Sequence, residues 1–203
     1  MRRTVLSEQV RDAYSAMSGP YIELIDDGRR MEAYDLDFIG GYLGGRTGPV
    51  LDLGCGPGHL TAYLRSLGLD ATGIDMVPEF IAHAEATHPG VPFRLGSMDA
   101  LDVADGSVAG VLAWYSLIHR PPADLDVVLA ELRRVVAPGG MVVAGFFDGE
   151  RAEPFDHRVI TAYRWPVDEF AGRMARAGFT EVQRLQRTTD RPDRLHAALA
   201  AAG

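Results

Sequence analysis

The sequence predicts an α/β protein, a doubly wound and mostly parallel sheet preceded by a pair of helices. Two observations carry that expectation. Apolar runs of strand length alternate with stretches of helical periodicity from Val50 onward, the pattern of successive βαβ units. The run SVAGVLAWYSL (107–117) is apolar almost throughout, which suits a strand covered on both faces of a parallel sheet.

The elements follow in order. TVLSEQVRDAYSAM (4–17) carries apolar residues at Val5, Leu6, Val10, Ala13, Tyr14 and Met17, a helical spacing that SGP (18–20) interrupts. A second helix, roughly Met31 to Leu43, has its stripe at Tyr34, Leu36, Phe38, Ile39 and Leu43. Glycines at 40–48 and Pro49 reset the chain before a strand at 50–53. A helix at 60–66 ends near Gly68, a strand follows at 71–74, and the helix at 78–87 opens with Pro78 in its first turn. VPFRLG (91–96) and 107–117 read as strands. ADLDVVLAELRRVV (123–136) is a helix with Asp124 near its start and PGG (138–140) after its end. MVVAGFF (141–147) is the fifth strand. A loop at 148–158, a short helix around 159–163 and a helix at 166–177 closed by Gly178 come next. FTEVQRLQ (179–186) and RLHAALAAA (194–202) complete the sheet as two strands, although the alanines also permit a helix in the second.

Composition narrows the functions. An apolar fraction of 47% supports a real core, and 203 residues suit one domain. All 20 basic residues are arginine, which removes Schiff-base lysine chemistry and phosphate loops of the G-K-[ST] kind. The net charge of −8 disfavours nucleic acid, which needs clustered cations. Cys55 is the single cysteine, so neither a disulfide nor a cysteine-based zinc site is expected. No run approaches the ~18–20 apolar residues of a membrane span, and MRRTVLSEQV lacks the apolar stretch of a secretory signal. The expectation is a cytoplasmic protein with a small-molecule partner and no metal. Oligomeric state is not legible.

Ligands of open α/β sheets sit at the carboxyl ends of the strands. There the first strand runs into Gly54-Cys55-Gly56-Pro57-Gly58, where backbone can approach a ligand and the following helix offers free N–H groups. The second strand ends in Asp75, a carboxylate able to grip both hydroxyls of a ribose. Together they indicate a nucleoside-containing cofactor. A dinucleotide fingerprint needs glycine where His59 stands. GSMDAL (96–101) after the third strand and LAWYSLIH (112–119) at the end of the fourth complete the set. Each feature alone has a plainer reading: a tight turn, a helix cap at Asp75, gap-filling methionines. Their occurrence in strand order decides against those.

LDLGCGPG, Asp75, GSMDAL, LAWYSLIH and PGG in this order resemble the class I S-adenosylmethionine-dependent methyltransferases, particularly the small bacterial type acting on small molecules. The resemblance spans about Val50 to Phe147 and extends more loosely to YRWPVDEFAGRMARAGFTEV (163–182). It implies a Rossmann-like, seven-stranded sheet in a single domain, 1–203. Residues 1–45 would form a helical lid, 46–147 the cofactor-binding core, and 148–203 a substrate-side loop, helix and strands. S-adenosylmethionine would be the methyl donor and S-adenosylhomocysteine the product. Asp52 with Gly54, Cys55, Gly56 and Gly58 would hold the methionine end, Asp75 the ribose, and Met76 and Met98 the two adenine faces. The family often has aspartate where this chain has Ser97, so either Ser97 or Asp99 reads the adenine edge. The lid would bring Tyr14 to the cofactor and Tyr21 to the acceptor.

His119, following the fourth strand, is the candidate general base, with a structural histidine as the alternative. Tyr115, His157, Arg164 and Trp165 are the candidate acceptor contacts, Arg164 for an acidic group. IHRPP after the fourth strand differs from the [DNS]-P-P-[YFW] of enzymes that methylate amino groups of nucleic acid or glutamine. Asp124 and Asp126 lie on a helix, unsuited to the carboxylate cluster of magnesium-dependent catechol-type enzymes. The expected reaction is methyl transfer to oxygen or nitrogen, less readily carbon or sulfur, of a small molecule. A non-catalytic binding module is the alternative; a nicotinamide oxidoreductase conflicts with the glycine spacing.

Overall fold

The structure is a computed structural model that describes residues 2–26, 32–188 and 195–203. Met31 and Arg194, at the expected starts of two elements, lie outside the described residues, as does the Val5 side chain.

Three helices lead, α1 (Arg2–Ala16), α2 (Ser18–Asp26) and α3 (Ala33–Leu43). Ser18-Gly19-Pro20 ends α1 as expected, but it also forms the first turn of α2, a helix not foreseen. Proline fits there because the first-turn N–H groups have no intrahelical partner. The repeating part then runs β1 (Pro49–Leu53), α4 (His59–Ser66), β2 (Asp70–Asp75), α5 (Pro78–Thr87), β3 (Phe93–Leu95), β4 (Val108–Trp114), α6 (Pro122–Val135) and β5 (Val136–Asp148). β6 (Glu153–Phe155), β7 (Ala162–Trp165), α7 (Val167–Arg176), β8 (Thr180–Thr188) and β9 (Leu195–Ala202) complete it.

The sheet order is β3-β2-β1-β4-β5-β7-β6, with β9 paired antiparallel to β5 and β8 to β9. The α/β, mostly parallel fold is as expected. The strand count is not: the sheet has nine strands rather than seven. The two additions are β6 and β7, where the sequence suggested a loop and a short helix. β4 pairs with β5 only as far as Gly145, and β7 takes over beyond it through Phe147↔Arg164 and Asp148↔Trp165. Vacated backbone groups at the end of β5 thus find partners, and Ala162 and Trp165 become core.

Three further boundaries moved. The 91–96 strand shrinks to Phe93–Leu95. β4 stops at Trp114, because Tyr115 takes a left-handed backbone with φ 55°. β5 begins at Val136, since Gly139 and Gly140 exchange backbone hydrogen bonds with Gly203 at the end of β9. The alanine-rich segment is strand: Ala197 to Ala201 are buried between β5 and β8, where small side chains fit a crowded ladder.

Consecutive strand residues divide between two apolar clusters, as the pleat requires. Leu51, Val111, Ala113, Val142, Ala144 and Phe146 pack with α6 and α7. Val50, Leu112, Met141 and Val143 pack with Ile39 and Leu43 of α3 and Leu60 and Leu64 of α4. Both faces are covered, so the crevice left for a ligand lies at the carboxyl ends, where the order turns from β1 to β4.

Candidate active site

A cleft of about 630 Å³, its open mouth included, lies at that turning point. Its lining comes from the ends of four strands and from three helices. β1 and the turn after it contribute Leu53, Gly54 and Gly56; β2 and the two residues after it contribute Ile74, Asp75, Met76 and Val77; the segment after β3 contributes Gly96 and Met98. Trp114, Tyr115, Ser116 and His119 line it from the end of β4, and Val10, Tyr14 and Tyr21 from α1 and α2. Phe80 of α5 completes a wall with Tyr14 and Tyr21, whose rings meet at 5.4 Å.

The glycines do different things. Gly54, at φ 72°, lies so near Ser116 that a side chain's first carbon would stand 2.4 Å from Ser116 Cβ. Gly58, at φ 92°, begins α4 and packs on Phe93 and Ala84. Gly56 faces the cleft. Asp75 braces the turn, accepting the Gly56 N–H at 2.8 Å and the Val77 N–H at 2.9 Å. Burial raises its pKa, against the pull of those N–H groups. The Met76 N–H acts on the carboxylate in the same way, and a carboxylate's four lone-pair directions leave capacity for a ligand hydroxyl.

Asp52, Cys55 and Gly58 lie beneath the turn, outside the lining. Asp52 is buried and accepts the Thr61 hydroxyl at 2.7 Å, while burial pushes its pKa up to about 7. The folded carboxyl therefore keeps a proton that the unfolded chain releases near pH 4. This stabilisation is complete below pH 4 and disappears as pH rises through about 7. It amounts to roughly 4 kcal/mol at most. Denaturant unfolding of the ligand-free protein is expected to show falling stability from pH 5 to 8, and Asp52→Asn should flatten the slope. An equal slope in the variant would assign the pH dependence to another group.

Ser97 and Asp99 sit beside the cleft rather than in its lining. Asp99 forms an ion pair with buried Arg120 at 2.8 Å and accepts the hydroxyls of Ser97 at 3.0 Å and Ser7 at 2.6 Å. Arg120 also donates to Ser7 Oγ at 3.2 Å, so the pair fastens α1 to the sheet end. Arg120 was not a sequence candidate. The only hint was its adjacency to His119.

His119 is buried, and both its nitrogens are engaged. Nδ1 lies 2.9 Å from the Thr161 carbonyl, which can only accept, so Nδ1 carries the proton. Nε2 consequently accepts the Tyr14 hydroxyl at 2.9 Å. Burial lowers the His119 pKa, with Arg120 adding to the effect, so the ring is neutral at neutral pH.

The acceptor-side candidates divide. The His157 ring lies 5.4 Å from that of His119, and His157 shares a smaller pocket with Tyr21, Met17 and Leu24. Tyr115 lines the main cleft, and its hydroxyl bonds His196 Nδ1. Neighbours on a strand point to opposite faces, but the left-handed backbone of Tyr115 lets both it and Trp114 line the cleft. Arg164 places its guanidinium 4.6 Å above the Phe155 ring. Trp165 does not join the cleft: it is 1% exposed and packs on Phe170 and Arg173. Ser116, Phe80 and Val10 are cleft residues the sequence did not single out, and Trp114, which as a strand residue reads as core, lines the cleft too. Among the described residues no group of three or more His, Cys, Asp or Glu is placed to hold a metal, and no helix is long and apolar enough to cross a membrane.

Known proteins share parts of this sequence and its fold. Residues 50–140 match the methyltransferase domain family. Over 94 residues the chain is 37% identical to the malonyl-(acyl-carrier protein) O-methyltransferase of Erwinia billingiae, a stretch covering 46% of this chain and 37% of that protein. The chain spans about half or less of the first curated relatives it matches, 37% and 51% of their lengths. Among solved structures, the 1,6-didemethyltoxoflavin-N1-methyltransferase of Burkholderia thailandensis, with S-adenosylhomocysteine bound, superposes with a TM-score of 0.73 at 23% identity, covering 95% of this chain and 89% of that one. The (4+2)-cyclase SpnF superposes with a TM-score of 0.79 at 18% identity, covering 97% and 96%. These likenesses show the fold, and one fold hosts more than one chemistry. The sheet order, the position of the cleft and the sequence of its floor agree with the class I S-adenosylmethionine-dependent methyltransferases that the sequence resembles, and residues 50–140 match a methyltransferase domain.

Proposed function

We propose that the protein transfers a methyl group from S-adenosylmethionine to an oxygen or nitrogen of a small-molecule acceptor. The observation that carries this reading is the charge of the cleft. Among the described residues its lining holds one carboxylate, Asp75, a neutral histidine, five large aromatic rings and no arginine. A dinucleotide's pyrophosphate would meet no cation there. A sulfonium would meet aromatic faces and a carboxylate, both of which attract positive charge.

The residues fit the donor. The turn from Gly54 to Gly56 and the N-terminus of α4 would receive the methionine end, Asp75 the ribose hydroxyls, and Met76 and Met98 the adenine. Ser116 Oγ, buried in the lining without a hydrogen-bond partner among the described residues, supplies a further polar contact. Asp52, Cys55 and Gly58 support the turn from below. The bound donor supplies an activated methyl group, so the chain's contribution is mainly alignment, with ~7–11 kcal/mol available from positioning. His119 is assigned as the general base.

Titration calorimetry against S-adenosylmethionine, S-adenosylhomocysteine and nicotinamide nucleotides tests the cofactor. Micromolar binding of the sulfur compounds alone is expected, and binding of nicotinamide nucleotides alone would overturn the reading. Labelled methyl transfer to a metabolite panel then separates an enzyme from a non-catalytic binding module. On the acceptor so found, His119→Ala is expected to lower turnover by ~10²-fold or more with donor affinity retained. Full turnover in that variant would make the histidine structural.

A further inference from the structure

We propose that Tyr14, carried on α1, is a catalytic proton relay: it takes the acceptor's proton while handing its own hydroxyl proton to His119 Nε2. The proposal rests on the methyltransferase reading and adds the path of the proton and the acceptor class, a weak O–H or N–H acid.

The geometry points to it in three steps. His119 has no nitrogen left to offer an acceptor, since Nδ1 is spent on the Thr161 carbonyl and Nε2 on Tyr14. The Tyr14 hydroxyl donates to Nε2, and Tyr14 lines the cleft, where an acceptor molecule would lie beside that hydroxyl. A phenol that donates to a base and accepts from an acid is a relay by construction. The position of Tyr14 is built as well. Ser7 on the same helix is held by Asp99 and Arg120, Ser15 Oγ donates to Glu79 at 2.8 Å, and the Tyr14 ring packs on Tyr21 and Phe80. The relay therefore exists only while α1 is seated.

The step balances. The acceptor oxygen or nitrogen forms a bond to the methyl carbon as the carbon–sulfur bond breaks, its electron pair passing to sulfur. One proton must leave the acceptor. It moves to Tyr14 Oη as the Tyr14 proton moves to Nε2, and the resulting imidazolium releases it to solvent. Among the described residues, Tyr14 from α1, His157 from the β6–β7 segment and Arg120, next in the chain, face the ring. Desolvation and Arg120 keep His119 unprotonated at rest, so it is ready to receive a proton.

The test uses Tyr14→Phe in the full chain with two readouts. In histidine-labelled protein saturated with S-adenosylhomocysteine, nitrogen NMR follows His119 across pH. Loss of the donor to Nε2 should raise the pH at which the ring protonates and shift the Nε2 resonance. A titration unchanged by the substitution overturns the proposal. Methyl transfer is then compared on phenol, which must lose a proton, and 4-nitrophenol, largely ionised at slightly alkaline pH. The phenol-to-nitrophenol rate ratio is expected to fall by ~10²-fold in the variant. Equal losses on both probes would mean Tyr14 only packs the lid, and overturn the relay. If neither probe is methylated, the titration decides alone. Failure of the wild-type protein to bind S-adenosylhomocysteine overturns the underlying reading instead, a distinct result.

Discussion

Asp75→Ala is expected to weaken S-adenosylmethionine binding by ~10²–10⁴-fold. Two ribose hydroxyls donated to one ionised carboxylate contribute ~1.5–3 kcal/mol each. The same change removes the acceptors of the Gly56 and Val77 N–H groups. Buried donors without partners cost ~1–3 kcal/mol apiece, so the ligand-free protein should also unfold at lower denaturant. Asp75→Asn, which keeps one acceptor oxygen, should fall between. Calorimetry measures the affinity and urea unfolding the stability. Undiminished affinity in the alanine variant would place the ribose on another group.

The second large effect concerns Gly54. Alanine there meets two penalties: a left-handed backbone at φ 72° and a methyl carbon 2.4 Å from Ser116 Cβ. The first costs ~1–2 kcal/mol and the second ~1–3, so Gly54→Ala should lose ~2–5 kcal/mol and most donor binding. Gly45 is the control. It has nearly the same backbone, φ 71°, but opens onto empty space, so alanine there should cost only the backbone penalty. Pairing Gly54→Ala with Ser116→Gly should recover the steric part alone. Matching losses at Gly54 and Gly45 would show that close packing against Ser116 contributes nothing.

The core of the fold was readable because each element obeyed one periodicity. β1, β4 and the second half of β5 are largely apolar runs, and α4 to α7 are stripes, with stop signals at Gly68 after α4 and Gly178 after α7. The misses have physical causes. β6 and β7 are three and four residues long, too short to show alternation, and they form because the end of β5 needs a partner. α2 was hidden by a glycine and a proline that its first turn tolerates. In the candidate site, the floor was legible because its chemistry needs glycines and a carboxylate at strand ends. Its walls were not. Phe80 and Val10 are ordinary helix residues until tertiary packing turns them toward the cleft. Arg120 has meaning only through Asp99 and Ser7, far from it in sequence.

The β6–β7 hairpin carries one more consequence, for how such a protein can diversify. It joins the sheet through two residue pairs at the tip of β5, and a few bonds such as Tyr163 N–H to the Ile118 carbonyl pin it beside His119. The core clusters draw only Ala162 and Trp165 from it as fully buried residues. A segment so lightly grafted can change length and composition between Gly149 and Thr161 while β1, β2 and β4 keep their register. The proposed acceptor side of the protein is thereby free to drift at a different tempo from the proposed donor side.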